Sequence, residues 1–265
     1  MSFFPLIRLP GVRGWTTVYN FSPNNFEAHK DKIRFANISW SDGSVWHHKL
    51  IQTLQPRDYL TIDEKQLPES VPVESLPIIS LTQNILPDQT FTLEPIKTEH
   101  SILPAWRGTI GITSSNGSKS SYQGEIDPFP NNGSCLTFNY LIQNSEYCKT
   151  ILLLLNIESQ PAWRPAQVEV RHSLPPHDLL LSFELMTNRI NILNLPKNVS
   201  DDPNVVIFCR EASCIPIFMS CNEEMTQLSF EHSHPPASSV VHGNRFAAQK
   251  LMKTYWFSKL SAQCE

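Results

Sequence analysis

Strand-length blocks of β-branched, aromatic and aliphatic residues, bounded by Pro, Asn or Gly, recur along almost the whole chain. No other feature constrains the fold as strongly. WTTVYNF (Trp15–Phe21), IRFANISW (Ile33–Trp40), VWHHKLIQTL (Val45–Leu54), PIISLTQ and TFTLEPI fall in the first hundred residues. LTFNYLIQ, CKTILLLLNIES, AQVEVRHSL, LLLSFEL, NRINILNL and VVIFCR follow. With 21 prolines and only 17% charged residues, the chain is expected to form short strands joined by turns rather than long surface helices. The fold expected is mainly β, an antiparallel β-sandwich-like architecture of one or two units with a C-terminal α-helix.

Several blocks carry more specific signals. Ser41-Asp42-Gly43-Ser44 stands between two β-rich runs, and Asp-Gly in that setting predicts a hairpin. His47 and His48 on its second strand are adjacent, so they point to opposite faces and cannot ligate one ion together. Ile151 to Leu155 is too short to cross a bilayer and reads as a buried central strand. The Pro- and Glu-rich stretch Glu64 to Leu76 reads as a connector. Strand patterning restarts after Glu99 with the hairpin WRGTIGITSSNGSKSSYQGEI, which places a division into 1–99 and 100–265, or one fused domain. Asn244 is a fitting N-cap for a helix from Arg245 to about Leu260, with Ala248, Leu251, Met252, Tyr255 and Trp256 as its apolar stripe.

The net charge of -4 argues against nucleic acid as the main partner, because neutralising phosphates needs a basic face. MSFFPLIRLPGVRGW lacks the pattern of a secretory leader, and no transmembrane segment is expected. The six cysteines accordingly read as reduced thiols in a cytoplasmic protein, with Cys209 and Cys214 at the ends of neighbouring strands.

The densest gathering of metal-capable side chains is IPIFMSCNEEMTQLSFEHSHPPASSVVH, Ile215 to His242, read as a β-hairpin. Alternation puts Leu228, Phe230, His232 and His234 in one row, with Cα atoms of successive members about 6.5 Å apart. Pro235 and Pro236 end the strand, and His242 offers a third imidazole. His232, His234 and His242 are therefore the candidate ligands for one divalent transition metal. Against this, Ser238 stands where a fourth, carboxylate ligand would be wanted, and neither a His-Glu-x-x-His nor a Cys-x-x-Cys pattern occurs. The simpler reading takes the histidines as hydrogen-bonded groups at a strand rim, with no cofactor.

No nucleophile elbow, P-loop, dinucleotide fingerprint, EF-hand loop or kinase signature is present, and no catalytic residue is assigned. Glu125 and Asp127, with Tyr122 nearby, read as a strand end entering a turn rather than a carboxylate pair. Cys214 or Cys221 beside His232 has no motif behind it. The leading expectation is a binding or assembly module whose surface uses Trp106, Arg107, Tyr122, Gln123 and Glu125. Its ligand would be a carbohydrate, another small molecule or a peptide, or its partner a protein. A metal-dependent enzyme built on the three histidines is the alternative. Pro-Ala-Trp-Arg occurs at both 104–107 and 161–164, each time leading into a β-prone segment.

Overall fold

A computed structural model describes residues 3–20, 32–93, 108–124, 134–137, 148–200, 202, 204–232, 251 and 254–260. Among the described residues, nine strands make the first half: β1 (Phe3–Pro5), β2 (Val12–Tyr19), β3 (Arg34–Ser41), β4 (Trp46–Leu54), β5 (Tyr59–Asp63), β6 (Ile78–Thr82), β7 (Gln89–Thr90), β8 (Gly108–Ser114) and β9 (Lys119–Gly124). They hydrogen-bond as two antiparallel sheets, β1-β6-β3-β4-β7 and β5-β2-β8-β9. Period-2 alternation turns one row of each sheet inward. Phe4, Ala36, Ile38, Leu54 and Ile79 of the first meet Val18 and Ile62 of the second in a common core.

The second half repeats the plan with β10 (Ser134–Thr137), β11 (Lys149–Leu155), β12 (Pro165–His172), β13 (Leu179–Met186), β14 (Ile190–Asn194), β15 (Val205–Cys209), β16 (Ile215–Cys221) and β17 (Leu228–His232). Its antiparallel sheets are β10-β15-β12-β13 and β14-β11-β16-β17. Between them lie Leu152, Leu154, Val168, Val170, Leu185, Ile207 and Phe218.

A third core joins the halves. Ile151, Leu153 and Leu155 project from the other face of β11, beside Ile217 and Met219 of β16 and Phe230 of β17. They pack against Phe3, Trp46, Ile78, Ile110 and Ile112 of the first half. Both faces of β11 are thus buried, which is why its sequence is a continuous aliphatic run without alternation. Polar ties reinforce the joint: Trp46 Nε1 donates to the Ser159 carbonyl at 3.0 Å, and Leu76 N–H donates to the Asn188 carbonyl at 3.2 Å. Asn188 takes the left-handed conformation (φ 58°) that Asn tolerates. From there its side chain donates to the carbonyls of Gln160 and Ala162.

The Asp-Gly hairpin forms between β3 and β4 as expected. Asp42 Oδ1 accepts from the N–H groups of Ser44 and Val45, and Gly43 adopts φ 93°. A Cβ on Gly43 would meet the Trp163 ring at 3.5 Å, so the hairpin tip sits directly on the second Pro-Ala-Trp-Arg segment.

Several expectations change. The strand pattern does restart after residue 99, but β8 pairs with β2 along Thr109–Ser114, so the new hairpin completes a sheet begun before the expected division. The change between sandwiches falls between Gly124 and Ser134 instead. Cys209 and Cys214 flank strands that face each other across the second sandwich rather than neighbours in one sheet. The terminal helix is helical at 254–260 and does pack on a sheet, but through Trp256, Phe257 and Leu260 against Val206 and Phe208 of β15. Leu251 and Tyr255, expected on the packed stripe, are exposed.

Because Leu153 lies in the core that joins the halves, Leu153→Ala is expected to cost about 2–5 kcal/mol. It should lower a single cooperative urea transition followed by tryptophan fluorescence and by circular dichroism. Two separated transitions in the wild type would contradict the shared core.

Candidate functional site

The residues proposed from sequence fare unequally. Trp106, Arg107, Glu125, Asp127, His234 and His242 lie outside the described residues. His232 occupies the register position opposite Ile217, at the end of β17. Among the described residues no three His, Cys, Asp or Glu side chains gather as a metal site would require. Tyr122 is on the inner row of its sheet, half-buried against the core that joins the halves. Its ring lies 5.4 Å from that of Phe230, and burial holds its hydroxyl well above the usual tyrosine range. Gln123, one residue on, takes the register position opposite Thr109.

The opposite face of the sheet β5-β2-β8-β9 is the candidate site. Its rows follow from register: Tyr59, Thr61 and Asp63 on β5; Arg13, Trp15, Thr17 and Tyr19 on β2; Thr109, Gly111 and Thr113 on β8; Lys119 and Ser121 on β9. The composition is aromatic and hydroxyl-rich, with no aliphatic side chain. Tyr59 is 65% exposed, and its ring centroid lies 6.3 Å from that of Tyr19. Trp15 and Tyr19 are separated by four residues, roughly 13 Å along the strand.

Gly111 shapes this surface. A Cβ there would stand 2.3 Å from the Trp15 ring, so glycine alone lets the indole come this close to the sheet. Hydroxyls hold the rest in place: Thr17 Oγ1 to Thr61 Oγ1 at 2.8 Å, and Tyr19 Oη to Thr109 Oγ1 at 3.1 Å. Trp15 Nε1 and Thr113 Oγ1 are buried on this side without a hydrogen-bond partner. Arg13 and Asp63, 3.8 Å apart and partly exposed, close one end with a weak ion pair. There the face runs into a shallow depression of about 440 Å³ bounded by Gly11, Arg13, Thr113, Ser115 and Gly117.

The strongly perturbed titratable groups lie elsewhere and are built into the fold. His48 Nδ1 meets Ser39 Oγ at 2.7 Å and its Nε2 meets Thr90 Oγ1 at 2.9 Å. Burial, helped by neighbouring His47, pushes the imidazole down to about 4. The pair resembles an activated serine only superficially: Ser39 is fully buried, and the far ring nitrogen meets a hydroxyl instead of the orienting carboxylate. At the hairpin tip, burial opposes ionisation of Asp42, but hydrogen bonds from the His47 ring and the N–H groups of Val45 and Ser44 outweigh it and bring the carboxyl to about 2. Burial raises the thiol of Cys221, in the core between the halves, while Cys214 lies on the other side of the same sheet. Neither thiol has the exposed, electropositive setting that makes a reactive thiolate.

No protein-family model, no curated protein and no solved structure matches this chain.

A neutral His48 in the folded state, against an ordinary value near 6.5, has a definite consequence. The unfolded chain takes up a proton before the folded one does, so stability is full above about pH 6.5 and falls as the pH drops toward 4, by on the order of 3 kcal/mol. Urea midpoints of the wild type and His48→Gln at both ends of that window check this. The variant should start lower and lose less on acidification.

Proposed function

We propose that the chain is a carbohydrate-binding module that uses the outer face of β5-β2-β8-β9. The observation that carries this reading is the Trp15 indole packed against Gly111, on the same face as Tyr19 and exposed Tyr59 and among hydroxyl side chains. Sugar rings present one apolar C–H face that stacks on an aromatic ring and a rim of hydroxyls that needs donors and acceptors. Thr61, Thr109 and Ser121 supply the second requirement between the rings that supply the first. A sheet face is flat, and its aromatic positions lie roughly 13 Å apart. The ligand is therefore an extended oligosaccharide spanning several rings rather than a single sugar. Arg13 and Asp63 offset each other and Lys119 adds a single positive charge at the same end of the face, so the site carries little net charge and a neutral chain suits it.

Affinity electrophoresis in gels containing hydroxyethylcellulose, xylan or laminarin tests the proposal. Retardation by at least one polysaccharide is expected. Tyr59→Ala should weaken it about tenfold, in keeping with loss of a stacking aromatic at a binding surface. Because Tyr59 is largely exposed, the thermal transition should shift little. Migration unaffected by all three polymers, or equal retardation of wild type and variant, would reject the site.

A further inference from the structure

We propose that the outward edge of β14 is a docking site for an extended peptide of alternating aliphatic and basic side chains, which joins the sheet as an added strand. The site is separate from the aromatic face and does not rest on the carbohydrate reading.

The argument begins with backbone parity. β14 is the terminal strand of β14-β11-β16-β17. Leu195 N–H donates to the Thr150 carbonyl, on the β11 side. Alternation then directs the backbone groups of residues 191, 193 and 195 toward β11 and those of Ile190, Ile192 and Asn194 away from it. The chain itself starts a pairing on that outer side. Ser75 and Arg189 form an antiparallel bridge, with Ile190 N–H donating to the Glu74 carbonyl at 3.3 Å and Leu76 N–H to the Asn188 carbonyl at 3.2 Å. The pairing then stops. Ser75 N–H turns back to the Pro72 carbonyl, and a proline cannot donate to a ladder. Beyond that point no described strand lies beside Ile192 and Asn194. An open edge of this kind is a template for strand addition.

Beside the edge runs a groove of about 600 Å³ between the two sandwiches. Its apolar wall includes Val73, 75% exposed, and Ile192, 46% exposed, with Leu9, Pro10 and Met186 nearby. Its charges are not equivalent. Arg8 Nη1 donates to the Pro72 carbonyl at 2.8 Å, and the Arg189 guanidinium lies 4.8 Å from the centre of the Trp163 ring. Glu64 accepts from Gly14 N–H at 2.7 Å. Glu74 and Glu184, also at the groove, are exposed, and among the described residues neither carboxylate has an ion pair or hydrogen bond. The groove thus offers an incoming strand two unengaged negative charges, while its positive ones are already held. A peptide that places aliphatic side chains against Val73 and Ile192 and ammonium groups near Glu74 and Glu184 satisfies both features.

The test uses the full chain and fluorescence anisotropy of fluorescein-labelled peptides. The probes are Val-Lys-Val-Lys-Val-Lys, the corresponding Val-Glu peptide, and two versions of the Val-Lys peptide N-methylated at alternate amides in either register. The Val-Lys peptide should bind and weaken with salt, and the Val-Glu peptide should bind at least about tenfold more weakly. N-methylation in one register only should abolish binding, since only one set of amides faces the sheet. Glu74→Lys with Glu184→Lys should weaken the interaction about tenfold and remove most of its salt dependence. Ile192→Pro deletes an outward N–H at an edge position that accommodates proline, so binding should be lost while the thermal transition persists. Equal affinity for the acidic peptide, indifference to N-methylation in both registers, or no binding of any probe would overturn the proposal. So would concentration-dependent self-association abolished by Ile192→Pro, which would assign the edge to a second copy of the chain.

Discussion

The structure depends on a sheet whose two faces are both committed to cores. From Ile151 to Leu155 the residues of β11 belong alternately to the interior that joins the two halves and to the interior of the second sandwich. A free sandwich needs apolar residues on only one face of each sheet, the other being solvated. Here the second sandwich presents Ile151, Leu153, Ile217, Met219 and Phe230 on its far side, and the first sandwich covers them with Phe3, Trp46, Ile110 and Ile112. The relation between the halves is therefore one of packing, in which removing either would leave a broad apolar surface exposed to water. Among the described residues, hydrogen bonds from Trp46 and Leu93 to the Ser159 carbonyl, from Leu76 to Asn188 and from Ile190 to Glu74 cross that contact and fix its register.

This arrangement also explains where the candidate surfaces lie. With one face of β5-β2-β8-β9 turned into cores, the opposite face carries Trp15, Tyr19 and Tyr59 among hydroxyl groups. The groove at β14 lies beside the terminal strand of that sheet, where Val73 of the first half and Ile192 of the second both line it and are exposed. Both surfaces are products of how the sheets stack, and neither is marked by a contiguous motif.

How much was legible in the chain follows from the range of the interactions concerned. The Asp42-Gly43 hairpin and the central position of Ile151–Leu155 depend on neighbours within a few residues, and the pattern of blocks carried them along with the β class. The sandwich boundary depends on β8 returning to β2 across about a hundred residues, which no local pattern encodes. Tyr122 was expected on a ligand surface, yet its parity is set by pairing with Ile110, an inward residue. Trp15 was visible only as part of a strand. Its role as a platform depends on Gly111 directly across the ladder, and a Trp-opposite-Gly pair can be recognised only once register is known. The docking face of the terminal helix was legible only in part: Trp256 packs as expected, but Leu251 and Tyr255 are exposed and Phe257 and Leu260 take their place against Val206 and Phe208.

The sharing of one core between the two halves sets the order of events during synthesis. The residues that cover Trp46 and Ile112 are drawn from β11, β16 and β17, so the last of them, Phe230, leaves the ribosome more than a hundred residues after Ile112. Until then the first sandwich carries an unburied apolar face, and its nascent form is the stage at which chaperone engagement or aggregation competes with folding.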